Sequence, residues 1–160
     1  SCFTIYLPQV AEEVGTRRTG PTITPTQGGE TVLVVEDLIG LRRLITRTLT
    51  SAGYKMLDAP TGEEALRVLE QYERPVHLMI TDVVMPGISG RDLAERLRRI
   101  RPDMKVLYMS GYTDDVIMRH GFVAERMPFV SKPFGTAELL RTIREILDAS
   151  SSIDSSTTAR

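Results

Sequence analysis

Cysteine is almost absent from this chain. Cys2 is the only one in 160 residues, so no disulfide can form within the chain, and a reducing compartment is the simple expectation. Long hydrophobic runs are missing as well. No stretch of about 18 apolar residues offers a membrane span, and no basic segment leads into a short apolar one as in a secretory signal. Charge of one sign is also lacking: 20 Lys and Arg stand against 21 Asp and Glu, a net charge of −1 that argues against general polyanion binding. Arg91, Arg96, Arg98, Arg99 and Arg101 do cluster, but Asp92 and Glu95 interrupt them, and the group reads as a solvated helix face. The expectation is a cytoplasmic protein whose segment touches neither nucleic acid nor membrane.

What is present falls into four zones. Residues 1–10, SCFTIYLPQV, read as a strand with no obvious partner. Residues 11–29 are more than half Thr, Gly and Pro, too little apolar surface to fold, and read as a flexible linker spanning about 24 Å. Residues 150–160 are a polar tail, expected to be disordered. Between them, residues 30–149 carry the pattern of one ordinary domain, large enough to bury roughly two-thirds of its unfolded surface without disulfide or structural metal.

Within that domain strand and helix alternate. Thr31–Val35 is an apolar β-branched run ending in Glu36 and Asp37. Leu41, Leu44, Ile45, Leu49 and Ala52 then follow helical spacing up to Gly53. A strand near Tyr54–Ala59 precedes a helix opened by Thr61 and Glu64, which have capping-box spacing. A strand ending at Asp82, a helix over Gly90–Ile100 and a strand over Lys105–Met109 come next. A weaker helix near Asp114–Arg119, a strand at Phe129–Ser131 and a helix over Thr136–Leu147 complete the series. Five such repeats with short connections imply right-handed crossovers and a parallel sheet with helices on both faces. VLVV, LMI and VLYM are continuously apolar, as strands buried on both sides should be.

Ligands of open parallel sheets bind beyond the carboxyl ends of the strands. Glu36 and Asp37 follow the first strand, Asp82 ends the third, Ser110 the fourth and Lys132 the fifth. Singly, each has an ordinary explanation as a cap, a turn residue or a solvated charge. Together, three carboxylates repel by about 4 kcal/mol per close pair at an effective dielectric near 20, and so call for a cation. All-oxygen ligands suit Mg²⁺. A divalent cation with a lysine and a hydroxyl makes a clamp for a phosphoryl group, and an Asp facing it is a plausible nucleophile.

VLVVED, ITDVVMPGISG, VLYMSGY and FVSKPF, in this order and spacing, resemble the receiver domain of two-component signalling proteins over residues 30–149. The resemblance implies a flavodoxin-like (βα)5 fold, a three-layer sandwich whose parallel sheet has the order 2-1-3-4-5. It implies Asp82 as phosphoacceptor, with Glu36, Asp37, Asp82 and the backbone carbonyl of Val84 holding Mg²⁺ or Mn²⁺. It implies that Lys132 pairs with the phosphoryl or the Asp82 carboxylate, that Ser110 is the switch hydroxyl and that Phe129 is the switch aromatic. A phosphohistidine, on a kinase dimerisation domain or a His-phosphotransfer protein, would be the donor, and a second receiver is a candidate partner. Signalling would shift populations between two surfaces around the fourth strand, the helix after it and the fifth strand. Three positions depart from the family pattern: Leu38 stands where many relatives have a third acid, Phe129 where many have tyrosine, and Val84 where some have a polar side chain. His77 and His120 sit in no recognisable phosphorylated-His helix and read as ordinary histidines.

Two rivals share parts of this chemistry. An aspartyl phosphatase usually places its nucleophile in D-x-D on the first strand, unlike Glu36–Asp37–Leu38; a flavodoxin-type protein should carry a phosphate-binding nest where DLIGLRR stands. The opening strand bears on the wider architecture. FTIYLP resembles the last strand of the ATP-binding domain of sensor histidine kinases. That implies the C-terminal receiver of a hybrid sensor histidine kinase, with residues 3–7 unpaired to the receiver sheet and the kinase core outside this chain. A stand-alone regulator acting through protein–protein contacts is the alternative.

Overall fold

The computed structural model describes residues 29–111 and 127–149. Five strands and four helices lie in that part: β1 (Thr31–Val35), α1 (Ile39–Ser51), β2 (Lys55–Ala59), α2 (Gly62–Gln71), β3 (Leu78–Asp82), α3 (Gly90–Ile100), β4 (Lys105–Ser110), β5 (Phe129–Ser131) and α4 (Thr136–Asp148). All strand pairs are parallel, in the order β2-β1-β3-β4-β5. This is the flavodoxin-like order the motifs imply. The opening strand, the linker, the helix near Asp114–Arg119, His120 and the tail lie outside the described residues.

Strand alternation divides the core in two. Leu33, Val35, Met79, Val106 and Tyr108 pack with α2 and α3 through Ala65, Leu69, Leu93 and Leu97. Val32, Val34, Leu78, Ile80, Leu107 and Met109 pack on the other face with Ile45 and Leu49 of α1 and Leu139, Ile143 and Leu147 of α4. Burying both faces is what makes these strands read as unbroken apolar runs.

The helix boundaries follow local chemistry. Thr61 Oγ1 accepts from the amide of Glu64 (3.2 Å), half of the expected capping box, while the Glu64 carboxylate turns to Arg67 (3.0 Å). Ser89 caps α3 through the amide of Asp92. Gly53 stops α1 in the left-handed region, at φ 92°. His77 is structural: its Nδ1 accepts from the amide of Thr31 (3.0 Å).

The arginine cluster is not uniform. Arg96, Arg98 and Arg99 are exposed, as a solvated face would have them. Arg101, just past α3, instead donates to the carbonyls of Leu69, Tyr72 and Arg74 and so fastens the end of α2 to the end of α3. A terminal guanidinium has several donors in one plane, which suits a loop whose carbonyls have left the helix.

Candidate functional site

The sheet order places β1 and β3 side by side at the centre, with β4 next to β3 and β5 at the edge. Every polar residue at a carboxyl end therefore faces one rim. The ladders run on past the strand ends: Glu36 N donates to Ala59 O, Val83 N to Met109 O and Lys132 N to Ser110 O (3.2, 3.0 and 2.6 Å). This holds each connecting segment close to its neighbour.

Lys132 is the centre of the cluster. Its Nζ donates to Asp82 Oδ2 at 2.6 Å and to Glu36 Oε2 at 2.7 Å, the latter across 96 residues of sequence. Asp37 joins them: Glu36, Asp37 and Asp82 each offer a carboxylate oxygen within 4.8 Å of the others. Their environments differ sharply. Glu36 is fully buried, Asp82 half-buried and Asp37 exposed. The oxygens of Glu36 are taken up by Lys132 and by the amide of Leu38 (3.2 Å), and Asp82 Oδ1 accepts from the amide of Val84 (3.3 Å).

Burial pushes the Glu36 carboxyl above its ordinary range, although the hydrogen bond and charge of Lys132 oppose it. For Lys132, burial acts to lower the pKa, but the bonds and charges of Asp82 and Glu36 outweigh it and leave it raised. The lysine is thus held as a cation between two carboxylates.

The remaining expected positions lie around this cluster. Ser110 ends β4, is 2% exposed, and pairs with Ser131 in register. Val84 follows the phosphoacceptor candidate with its side chain facing solvent. Phe129 pairs with Tyr108 and so sits one alternation step back from Ser110 on the same sheet face, 47% exposed. It does not touch the carboxylates in any described contact. Leu38 is exposed, and its apolar side chain offers no ligand atom.

Two contributors escaped the sequence reading. Gly90 opens α3 against the back of Asp82: a Cβ there would overlap the Asp82 carbonyl oxygen and stand 2.9 Å from Thr81 Oγ1. The Gly following Ser89 carried a weak signal, since glycine at a helix start is common. Arg42 donates to the backbone carbonyls of both Glu36 and Asp37. Nothing in its spacing distinguishes it from Arg43 beside it.

The donor set is hard, oxygen-rich and net negative around one lysine, which fits a small divalent cation. Such a cluster at the carboxyl ends of a parallel sheet, with one carboxylate half-exposed beside a fixed ammonium, can receive a phosphoryl group.

The chain is 34% identical over 154 residues to the sensor kinase CckA of Brucella abortus (strain 2308), covering 91% of this chain and 16% of that protein. It is 31% identical over 118 residues to the response regulator receiver protein CpdR of the same strain, covering 74% of this chain and 97% of that one. The crystal structure of the receiver domain from hybrid histidine kinase CckA superposes with a TM-score of 0.62 at 32% identity, covering 73% of this chain and 98% of that chain. Residues 32–144 match the family described as the response regulator receiver domain. With the fold, the carboxylate rim and this match in agreement, the chain belongs to the receiver domains of two-component signalling systems.

Proposed function

We propose that Asp82 is the phosphoacceptor of this receiver and that it takes its phosphoryl group from a phosphohistidine. Receiver domains take phosphoryl groups from histidine kinases and bind Mg²⁺ in an acidic pocket. The observation that carries the assignment is the Lys132 bridge: it binds Asp82 and the buried Glu36 at once, inside a group of three carboxylates.

In the reaction, a carboxylate oxygen of Asp82 attacks the phosphorus of the donor. The phosphorus–nitrogen bond breaks, the imidazole leaves with its electron pair, and an acyl phosphate forms on Asp82. Lys132 meets the incoming phosphoryl oxygens as a fixed cation, exchanging part of its bond to Asp82 for them. Ser110, at the end of β4, offers the hydroxyl for a further phosphoryl oxygen. Glu36, Asp37, Asp82 and the Val84 carbonyl would hold Mg²⁺ or Mn²⁺, which when bound neutralises charge on the phosphoryl oxygens. Phe129, on the sheet face of Ser110, is the residue whose side chain would report the change. Incubation with a small acyl phosphate and Mg²⁺ tests the assignment: the wild type should gain one phosphoryl group and Asp82→Asn none.

The likeness to the sensor kinase favours a place within a hybrid sensor histidine kinase. That match takes in 91% of the chain, more than residues 30–160 supply, so it extends into the segment ahead of the receiver. The donor would then be the parent kinase's dimerisation domain or a His-phosphotransfer protein, in the cytoplasm. A second reading, a stand-alone regulator, has support in the 97% coverage of CpdR. The coding sequence upstream separates them: continuation into an ATP-binding domain supports the first, and a start codon adjoining this segment the second.

A further inference from the structure

We propose that Arg42 is a positioning residue for the divalent-cation site, holding the backbone of Glu36 and Asp37 so that their carboxylates face Asp82. The proposal rests on the metal reading above and adds a residue to it.

Glu36 and Asp37 lie in a gap between two regular elements. The last ladder bond at this edge uses the amide of Glu36, and the first bond of α1 runs from the amide of Arg42 to Leu38 O (3.0 Å). The carbonyls of Glu36 and Asp37 thus fall outside both sheet ladder and helix, where backbone acceptors need another partner. The start of α1 provides no help. Leu38 occupies the N-cap with no side-chain cap bond, and the first turn holds no acid.

Arg42 fills that gap. Its Nη1 donates to Glu36 O and makes a longer bond of 3.5 Å to Asp37 O, while Nε donates to Asp58 Oδ2 at 3.1 Å. The side chain is only 12% exposed. Fixing two successive carbonyls fixes two successive peptide planes, and with them the direction in which each Cα–Cβ bond leaves the chain. Nη1 alone spans the two carbonyls while Nε, in the same rigid plane, is held by Asp58; an ammonium is a single point charge and cannot hold both ends at once.

Charge alone would give Arg42 the opposite role. A cation close behind a cation-binding turn repels the metal, and Asp58, at the end of β2, offsets that charge from the far side. The two roles therefore differ in sign. If Arg42 acted only through its charge, removing it would tighten Mg²⁺ binding; if it positions the turn, removing it loosens binding.

The test is titration of the whole chain with MgCl₂ by calorimetry, without phosphodonor, for wild type, Arg42→Met, Arg42→Lys and Arg43→Met. Groups that orient metal ligands typically contribute about ten-fold in affinity. Both Arg42 variants should bind Mg²⁺ about ten-fold more weakly than wild type. Arg43→Met, which removes an exposed neighbouring charge, should bind as wild type does. Arg42 variants with a native far-ultraviolet circular dichroism spectrum that bind as tightly or more tightly overturn the proposal. Failure of both to fold overturns it too, because Arg42 would then be a residue of the fold. Absence of saturable binding by wild type removes the metal reading itself, a result distinct from the other two.

Discussion

Lys132 Nζ lies 2.7 Å from Glu36 Oε2, joining the segment after β5 to the segment after β1 beneath the half-buried Asp82. Glu36 is fully buried, and a buried carboxylate without a counter-charge is costly. The lysine is thus a structural partner of Glu36 as well as the ammonium that faces Asp82, the proposed phosphoacceptor.

The first prediction follows directly. Lys132→Met keeps the bulk of the side chain but leaves Glu36 unpaired beside two further carboxylates. Breaking a buried pair in this way costs about 3 kcal/mol. Urea unfolding in metal-free buffer should show that loss, and Mg²⁺ should restore part of it. Unchanged stability would show that the pair is incidental.

Gly90 supplies a prediction of unusual sign. Replacing glycine by alanine within a helix normally stabilises by up to about 1 kcal/mol. Here the added methyl meets the Asp82 carbonyl and Thr81 Oγ1, both at the end of β3. Gly90→Ala should destabilise by about 2 kcal/mol, as overpacking does, and slow phosphorylation. Thermal melting and the rate of adduct formation check it; a more stable variant with normal kinetics would contradict it.

Val84 adjoins the site with a solvent-facing apolar side chain, its amide bonded to Asp82 Oδ1. An apolar group there orders no hydrolytic water, so the phosphoaspartate should be long-lived. Val84→Asn should raise the rate of dephosphorylation severalfold, followed by loss of the adduct mass with time. A rate that stays the same or falls would count against this.

At the opposite end of the sheet, Glu30 pairs with Arg144 of α4 at 2.9 Å, and Arg144 also reaches Asp148 at 2.7 Å. Burial acts to raise the Glu30 carboxyl, but the Arg144 hydrogen bond, a backbone hydrogen bond and the charge of Arg144 outweigh it and leave it lowered. Because the native pKa is below the unfolded one, the pair's stabilisation is full above the unfolded value of about 4.3. It is lost as pH falls through the lowered native value. Glu30→Gln should therefore lower the melting temperature at pH 7 and matter progressively less as pH falls below about 4.3. An equal effect at all pH values would refute the charge account.

Much of this was legible in the sequence for a definite reason. Strands buried on both faces must be apolar throughout, so the (βα) alternation stood out, and the boundaries of α3 and β5 were read as they occur. The rim was legible because Glu36, Asp37, Asp82, Ser110 and Lys132 each end or follow a strand, and parallel order sends them all to one side. Contacts to backbone were not. At the site Arg42 acts on carbonyl groups that every residue carries, as Arg101 does between α2 and α3, so no partner residue type marks those contacts. The fit of Gly90 against Asp82 depends on an approach between two segments that local sequence does not encode. The second half of the capping box failed for a related reason: Arg67, one turn on, competes for Glu64.

The central claim is that Asp82 carries the phosphoryl group. Intact-mass spectrometry after incubation with a small acyl phosphate and Mg²⁺, followed by hydroxylamine, tests it most directly. One phosphoryl group should appear on the wild-type chain, vanish with hydroxylamine as an acyl phosphate does, and be absent from Asp82→Asn. A hydroxylamine-resistant adduct, or one that persists in Asp82→Asn, would contradict the account.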